Sequence, residues 1–432
     1  MKTALVPKHL LLPFILITSL FTLWGFANAV TDPMVTAFKK VLELSNFKAS
    51  LVQMAFYGGY FTMAIPASFL IRRYSYKTGI TVGLFLYAAG ALLFYPAAVT
   101  GHFAFFLLGL YILTFGLAFL ETTANPYILA MGDKKTATQR LNLAQSFNPL
   151  GLLGGLIIAQ QFVFKKLQSD DVDFSSLTPS AKEVIRQSDL MVIRDPYVAL
   201  GLLVILVLII ISMSKMPSYQ NLKNHETMWQ ITKRLVIKRS YFLGVLSQVF
   251  YVGAQIMCWT YIYQYAEAKG IDSVTAGNYQ FAAFVFFFVG RFICTFLLRY
   301  VYSGTLLMFF SVLAILATLG TILTPGILGM YCLIMISFCM SLMFPTIYSL
   351  ALDGLTEEES KVGAAGLVMA IVGGALMPTF QGMILDIGGT RGDDIIIMGV
   401  TEVNFSFVLP AACFVWIGCY GFRALTYNAS KS

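Results

Sequence analysis

The sequence is dominated by long apolar runs that are separated by short polar segments. A helix of about 20 apolar residues crosses the hydrocarbon core of a bilayer, because each residue adds about 1.5 Å. Hydrophobic residues make up 58% of the chain and charged residues only 12%, which excludes a water-soluble globule. We therefore predict an all-α membrane protein with twelve transmembrane helices. The predicted spans are roughly 10–36, 50–71, 78–98, 103–131, 141–164, 196–214, 241–266, 276–298, 304–324, 328–352, 362–385 and 404–422.

The charged residues are distributed unevenly between the segments that join these runs. If both termini are cytoplasmic, most Lys and Arg residues fall inside and most Asp and Glu residues fall outside. This positive-inside pattern predicts cytoplasmic termini, and it accounts for the net charge of +8 without a nucleic-acid partner. Residues 1–30 also fit a signal peptide, but its removal would disturb the asymmetry. Residues 165–195 are interpreted as a polar outer loop.

A long basic connector, residues 215–240, separates six predicted spans from the next six. It contains Trp229 and mixed charges, which favour a short surface helix. We predict an N-terminal half, 1–214, and a C-terminal half, 241–432. Weak sequence similarities between the halves indicate parallel repeats with a site near the membrane midplane. The similar segments are Gly25-Phe-Ala-Asn28 with Gly253-Ala-Gln255, and Gly154-Gly155 with Gly373-Gly374.

The fourth predicted span contains a carboxylate, Glu121, followed by Asn125 and Pro126. A carboxylate at this depth is costly, so it usually faces water or a partner and marks a pathway. Glu121 and Asn125 share one helix face because they are four residues apart. Pro126 favours a kink. A binding or proton site and a simple polar clamp between helices both remain open.

Polar residues also occur in the first and fifth predicted spans. Asn28 and Asp32 share a face of the first helix, while Gln145 and Asn148 belong to a polar stripe that Asn142 begins. Asp32 could instead reach lipid headgroups from a helix end, and the amides could simply hold helices together.

The seventh predicted span carries a stripe of Gln248, Tyr251, Gln255 and Trp259. An indole ring can stack on a sugar face while amides bond its hydroxyl groups. A Trp at the membrane interface is the competing interpretation, but Trp259 lies far from the predicted start of its helix. We favour a sugar-binding site.

Other chemistries find little support. The six cysteines lie within apolar runs without metal-ligand spacing, and no nucleotide-binding glycine loop occurs. The three histidines, His9, His102 and His225, are far apart in sequence. We therefore expect no metal, no cofactor and no enzyme activity. We expect the lipid bilayer as a partner, but no obligate protein partner.

Several runs together resemble the fucose–galactose–glucose–proton symporter family of the major facilitator superfamily. The runs are Trp24-Gly-Phe-Ala-Asn28-Ala-Val-Thr-Asp32, Ala55-Phe-Tyr-Gly-Gly-Tyr60, Ser75-Tyr-Lys-Thr-Gly79, Leu120-Glu121-Thr-Thr-Ala-Asn125-Pro126, Arg140-Leu-Asn-Leu-Ala-Gln145-Ser-Phe-Asn148 and Tyr251-Val-Gly-Ala-Gln255-Ile-Met-Cys-Trp259. The L-fucose–proton symporters are the most similar branch. The resemblance implies the major facilitator fold and a symporter that imports a neutral monosaccharide by alternating access, with a proton as the coupling ion.

The same resemblance assigns proton coupling to Asp32 and Glu121. With the residues of the polar stripes, the expected sugar ligands are Asn28, Glu121, Asn125, Gln145, Asn148, Gln255 and Trp259. Glu121 favours the fucose branch, because glucose and galactose relatives often carry Gln there. Ala29 and Val362 depart from the fucose pattern, since the family has Asn and Tyr at these positions. Galactose, glucose or N-acetylglucosamine transport, and a sugar sensor without transport, stay open.

Overall fold

The computed structural model describes residues 4–42, 46–168, 177–217, 226–387 and 395–429. Helices form most of these ranges, and one short antiparallel hairpin, β1 (Ile396–Ile397) with β2 (Val400–Thr401), accompanies them. The α-helices are α1 (Leu11–Val41), α2 (Asn46–Arg73), α3 (Tyr76–Leu92), α4 (Phe94–Thr100), α5 (Phe103–Ala130), α6 (Ala137–Gln145), α7 (Asn148–Ile158), α8 (Pro179–Met213), α9 (Met228–Ile237), α10 (Arg239–Thr260), α11 (Ile262–Glu267), α12 (Ser273–Leu297), α13 (Ser303–Leu323), α14 (Ile327–Met340), α15 (Met343–Leu352), α16 (Glu357–Met369), α17 (Gly373–Leu385), α18 (Glu402–Ser406) and α19 (Val408–Ala429).

Within the described ranges, 12 helical segments are long and apolar enough to cross a membrane. This confirms the predicted fold class. Several spans are built from two consecutive helices, such as Lys134–Val163, which contains α6 and α7, and Ile327–Leu352, which contains α14 and α15. The surface helix predicted in the basic connector is also present, as α9.

The predicted outer loop at 165–195 is wrong over its second half, because α8 already begins at Pro179. Thr178 caps this helix, since its side chain accepts the Ala181 N–H, and Pro179 in the first turn needs no hydrogen-bond donor. Pro196 lies inside the helix and does not begin it. The prediction thus placed Pro179 in a loop and started the span at Pro196, whereas Pro179 starts the helix and Pro196 is tolerated within it.

The fifth, tenth and eleventh spans are interrupted near their middles. In the fifth, α6 ends at Gln145 and α7 begins at Asn148. In the tenth, α14 ends at Met340 and α15 begins at Met343. A broken backbone at membrane depth is tolerated where protein surrounds it or where it lines a water-filled cavity. The predicted stripe from Asn142 to Asn148 therefore crosses a break and is not one continuous helix face.

The chain divides into two compact units. One consists of Lys8–Tyr127 and Leu150–His225, and the other consists of Met1–Pro7, Ile128–Pro149 and Glu226–Ser432. We call them the first and the second unit. The predicted halves, 1–214 and 241–432, stay a prediction.

Each unit contains a glycine at which two helices meet closely. In the first unit, a Cβ atom on Gly151 of α7 would collide with the Thr22 carbonyl oxygen of α1. In the second, a Cβ atom on Gly373 of α17 would collide with the Val249 carbonyl oxygen of α10. In both cases the obstacle is backbone, which cannot rotate away. Only glycine fits these two positions.

The second of these contacts yields a stability prediction. Gly373→Ala should lower the Tm of the purified protein in detergent by several degrees, because α17 must move away from α10 and lose packing. Gly58→Ala is the matched control within α2: the nearest atom to its added Cβ is Tyr111 Cε2 at 4.0 Å. This control should be neutral or slightly stabilising, since alanine favours helices. An unchanged Tm for Gly373→Ala would contradict the close contact.

Candidate functional site

Glu121 lies in α5 within the first unit and is only 4% exposed. Its Oε2 atom has no hydrogen-bond partner among the described residues. A buried ionised carboxylate without partners is strongly unfavourable, whereas the neutral acid is tolerated. The side chain can therefore be stabilised in two ways, by a proton or by a ligand that donates hydrogen bonds.

Two aromatic residues accompany this acid in the first unit. The Trp24 Nε1–H donates to the Tyr60 hydroxyl oxygen at 2.7 Å, and both side chains are buried. The Tyr60 hydroxyl is close enough to Glu121 for an electrostatic interaction. Because the Tyr60 oxygen accepts from Trp24, its own proton can point elsewhere. Both Trp24 and Tyr60 belong to the sequence motifs, but the sequence alone predicts no role for either.

The remaining predicted residues of the first unit differ in accessibility. Asn125 is fully buried, and its Nδ2 donates to the Glu121 carbonyl oxygen at 3.1 Å. This bond lies within α5 and joins no second helix. Asn28 is half-buried, and its Oδ1 has no partner in the described part of the chain. Asp32 lies in α1, but its side chain is outside the described residues.

In the second unit, Gln145 is held by an arginine. The Arg291 guanidinium donates through Nη1 to the Gln145 carbonyl oxygen at 2.9 Å and to its Oε1 at 3.4 Å. Arg291 lies in α12, is 3% exposed, and also stacks over the Phe287 ring at 4.7 Å. Gln145 is 4% exposed. The predicted sugar ligand is thus already engaged by a buried cation.

Arg291 also connects the two broken spans of this unit. Its Nε donates to the Ser341 carbonyl oxygen at 2.7 Å, directly after α14 ends, while Nη1 bonds the last residue of α6. Carbonyl groups at a helix C-terminus lack partners and carry the negative end of the helix dipole. A guanidinium suits two such ends because its donors form a rigid fork. The sequence signal that points to this residue is an Arg within an apolar run.

The other residues of the polar stripe separate into two groups. Asn142 is fully buried, and its Nδ2 donates to Thr346 Oγ1 of α15 at 3.3 Å, which fits a role in holding helices together. Asn148 is half-buried at the start of α7. Of the two, Asn148 is partly exposed.

Trp259 packs inside the second unit although it stands near a helix end. Helix α10 ends one residue later, at Thr260, and not near residue 266 as predicted. The expectation that Trp259 lies away from a helix end is therefore wrong. The indole Nε1–H nevertheless donates to Ser337 Oγ of α14 at 3.1 Å. Its ring contacts Phe284 and Phe287 edge-on, at centroid distances of 4.8 and 5.2 Å. Neighbouring helices thus hold the half-exposed ring, and Gln255, one turn earlier, is also half-exposed.

Deeper along the same helix face, Gln248 is fully buried and neither polar atom of its amide has a partner among the described residues. The Tyr251 hydroxyl, one turn away, is close enough to the buried Arg291 guanidinium for a hydrogen bond. Buried amides nearly always find partners, so Gln248 marks hydrogen-bonding capacity for water or a ligand. The sequence stripe included both residues but did not select them as ligands.

Comparisons with known proteins place this geometry in a family. A family model for the Major Facilitator Superfamily matches residues 14–378. The chain belongs to this superfamily. An L-fucose-proton symporter of Haemophilus influenzae is 54% identical over 98% of this chain and 99% of its own length. A glucose/galactose transporter of Brucella abortus is 31% identical over 94% of this chain and 92% of its own.

Solved structures agree with this membership. A crystal structure of the fucose:proton symporter FucP of E. coli, a variant form, superposes with a TM-score of 0.85 at 33% identity. The match covers 96% of this chain and 98% of that one. The predicted major facilitator fold is confirmed, and so is the prediction that the chain is a transporter and not an enzyme. The individual site residues stay predictions.

The bonds of Arg291 generate the next prediction. Arg291→Met keeps most of the side-chain volume but leaves the carbonyl groups of Gln145 and Ser341 without their donor, at about 1.5–3 kcal/mol for each bond to a charged group. We expect a lower Tm in detergent and weaker sugar binding by calorimetry. Arg291→Lys should recover only part of both, since an ammonium lacks the fork.

Arg299→Met is the matched control, because Arg299 lies just beyond the same helix and is exposed. It should change neither measurement. Normal binding and an unchanged Tm in Arg291→Met would show that the guanidinium supports neither break.

Proposed function

We propose that this chain is a secondary active symporter that imports a neutral monosaccharide, preferably L-fucose, together with a proton. The observation that carries the proposal is the buried Glu121 carboxyl group with an unpartnered oxygen beside the Trp24–Tyr60 pair. The 54% identity to an L-fucose-proton symporter supports the choice of sugar and of coupling ion. We place the protein in a bacterial inner membrane with both termini in the cytoplasm.

Coupling follows from the energetics of the cargo. A neutral sugar gains nothing from the membrane potential, so its accumulation requires a cation that moves with it. Burial favours the neutral form of Glu121, and the proton that neutralises it is the coupled cation. In this proposal Glu121 exchanges the proton and bonds the sugar, while Asp32 links protonation to the conformational change.

The sugar-binding residues are assigned from the family pattern, and four of them are partly exposed. Asn28 and Asn148 are half-exposed amides, and Gln255 and Trp259 offer an amide beside an aromatic face. Gln145 is retained as a ligand from the family pattern, although it is buried and bonded to Arg291. Asn125 is retained as a ligand from the family pattern, although its amide also serves α5.

Transport of glucose or galactose is the second candidate. The Brucella abortus relative supports it, and so do Ala29 and Val362, which replace polar residues of the fucose pattern. A competition panel decides between the two: labelled L-fucose uptake is measured against unlabelled L-fucose, D-galactose, D-glucose and N-acetylglucosamine. Strongest inhibition by a sugar other than L-fucose would overturn the substrate assignment and leave symport intact.

The role of Glu121 is tested in proteoliposomes with an imposed pH gradient. Glu121→Gln should abolish proton-driven accumulation of labelled sugar while sugar exchange between the two sides persists, because an amide bonds hydroxyl groups but releases no proton. Asn142→Ala, which alters a contact between helices, is the comparison and should keep its dependence on the pH gradient. Wild-type accumulation by Glu121→Gln would refute the assignment.

Asp32 and Asn148 should have separable effects. Asp32→Asn mimics a permanently protonated acid, so the protein should bind sugar but fail to accumulate it. Asn148→Ala should weaken binding by about 1–3 kcal/mol, the usual cost of a lost buried hydrogen bond, and keep some coupling at high sugar. Calorimetry and vesicle uptake on both variants distinguish these roles. Loss of binding in Asp32→Asn with normal binding in Asn148→Ala would reverse the assignment.

A further inference from the structure

Helix α9 lies where a membrane-spanning helix begins. It ends at Ile237, and the spanning helix α10 starts at Arg239, so only Lys238 separates them. Consecutive Cα atoms are about 3.8 Å apart. The C-terminal end of α9 therefore cannot leave the membrane surface from which α10 enters the bilayer.

Both faces of α9 carry apolar side chains. Ile231 and Leu235 are 0% and 1% exposed, so one face is packed against the protein. Trp229, Val236 and Ile237 point the other way and are 75%, 54% and 73% exposed. Trp229 and Val236 are seven residues apart and thus share one side of the helix. A helix in contact with water would normally place polar residues there.

The orientation of α9 is fixed by specific bonds. Thr227 and Gln230 form a reciprocal capping box at its start. Arg234 bridges Glu359 of α16 at 2.8 Å and Glu226 at 3.0 Å. Lys238 Nζ donates to the Gly354 carbonyl oxygen at 3.1 Å. The helix is therefore held with its second apolar face outward.

Positive charge lies within and beside that face. Lys233 is exposed and stands one turn after Trp229, and exposed Arg239 follows at the start of α10. Tryptophan with lysine or arginine is the composition that favours the boundary between headgroups and acyl chains. Basic side chains can bury their methylene stems there while the charge stays at the phosphate level.

We propose that the outward face of α9, formed by Trp229, Lys233, Val236 and Ile237, inserts into the headgroup layer and binds anionic phospholipids. Lys233 and Arg239 contact lipid phosphates, and Trp229 lies at the acyl boundary. A second protein is a poorer occupant: stable interfaces bury about 1,200–2,000 Å², which a face of this ten-residue helix does not supply by itself.

The test uses the full-length protein in nanodiscs, which expose both membrane surfaces. Tryptophan fluorescence of the wild type minus that of Trp229→Phe isolates the Trp229 signal. Lipids brominated near the headgroup should quench this signal more than lipids brominated near the chain end. Brominated phosphatidylglycerol should quench it more than brominated phosphatidylcholine. The double variant Lys233→Gln/Arg239→Gln should lose this preference for the anionic lipid.

Lys135→Gln is the matched control, because Lys135 is also exposed but lies outside α9. It should keep the preference. Circular dichroism and Tm are compared for all variants, so that a folding defect is recognised. The proposal is overturned if aqueous iodide quenches Trp229 while brominated lipids do not. It is also overturned if the preference for phosphatidylglycerol survives in the double variant.

Discussion

Every backbone N–H and C=O group inside a bilayer needs a partner within the protein, and this requirement shapes the whole chain. Continuous helices meet it by themselves, but the interrupted spans do not. Arg291 supplies donors to the carbonyl groups where α6 and α14 end. Arg140, fully buried, does the same for the Ile128 and Leu129 carbonyl oxygens near the end of α5. Two buried cations thereby supply partners to backbone carbonyl groups at helix ends.

This requirement also distinguishes structural polar groups from those available for chemistry. Asn125 and Arg140 donate hydrogen bonds to neighbouring backbone carbonyl groups. The Oε2 of Glu121 and the amide of Gln248 have no such partners among the described residues. Proteins break the rule of satisfied polar groups chiefly where function requires it. The unsatisfied set therefore supports the assignment of Glu121 and adds Gln248 to the residues of interest.

The spans and the fold class could be predicted because a run of apolar residues has only one way to cross a lipid bilayer. The predicted range of helix α8 is too short because Pro179 and Pro196 suggest breaks in the helix. The cap at Thr178, which starts the helix, is a weak signal in the sequence. The pairing of Gln145 with Arg291 could not be predicted, since two spans distant in sequence must meet. Tyr60 was missed for the same reason: its relation to Trp24 and Glu121 exists only after α1, α2 and α5 pack.

The glycine contacts restrict how such a protein can move. At Gly151 the backbones of α7 and α1 touch, and at Gly373 those of α17 and α10 do. Backbone contacts of this kind leave no space for the helices to slide, so each helix pair should move as one rigid body during any rearrangement. The motion that carries a solute across must therefore be borne by contacts that side chains alone make. The hydrogen bonds from α6 to α12 and α15 are of that exchangeable kind, since rotating a few torsions breaks them.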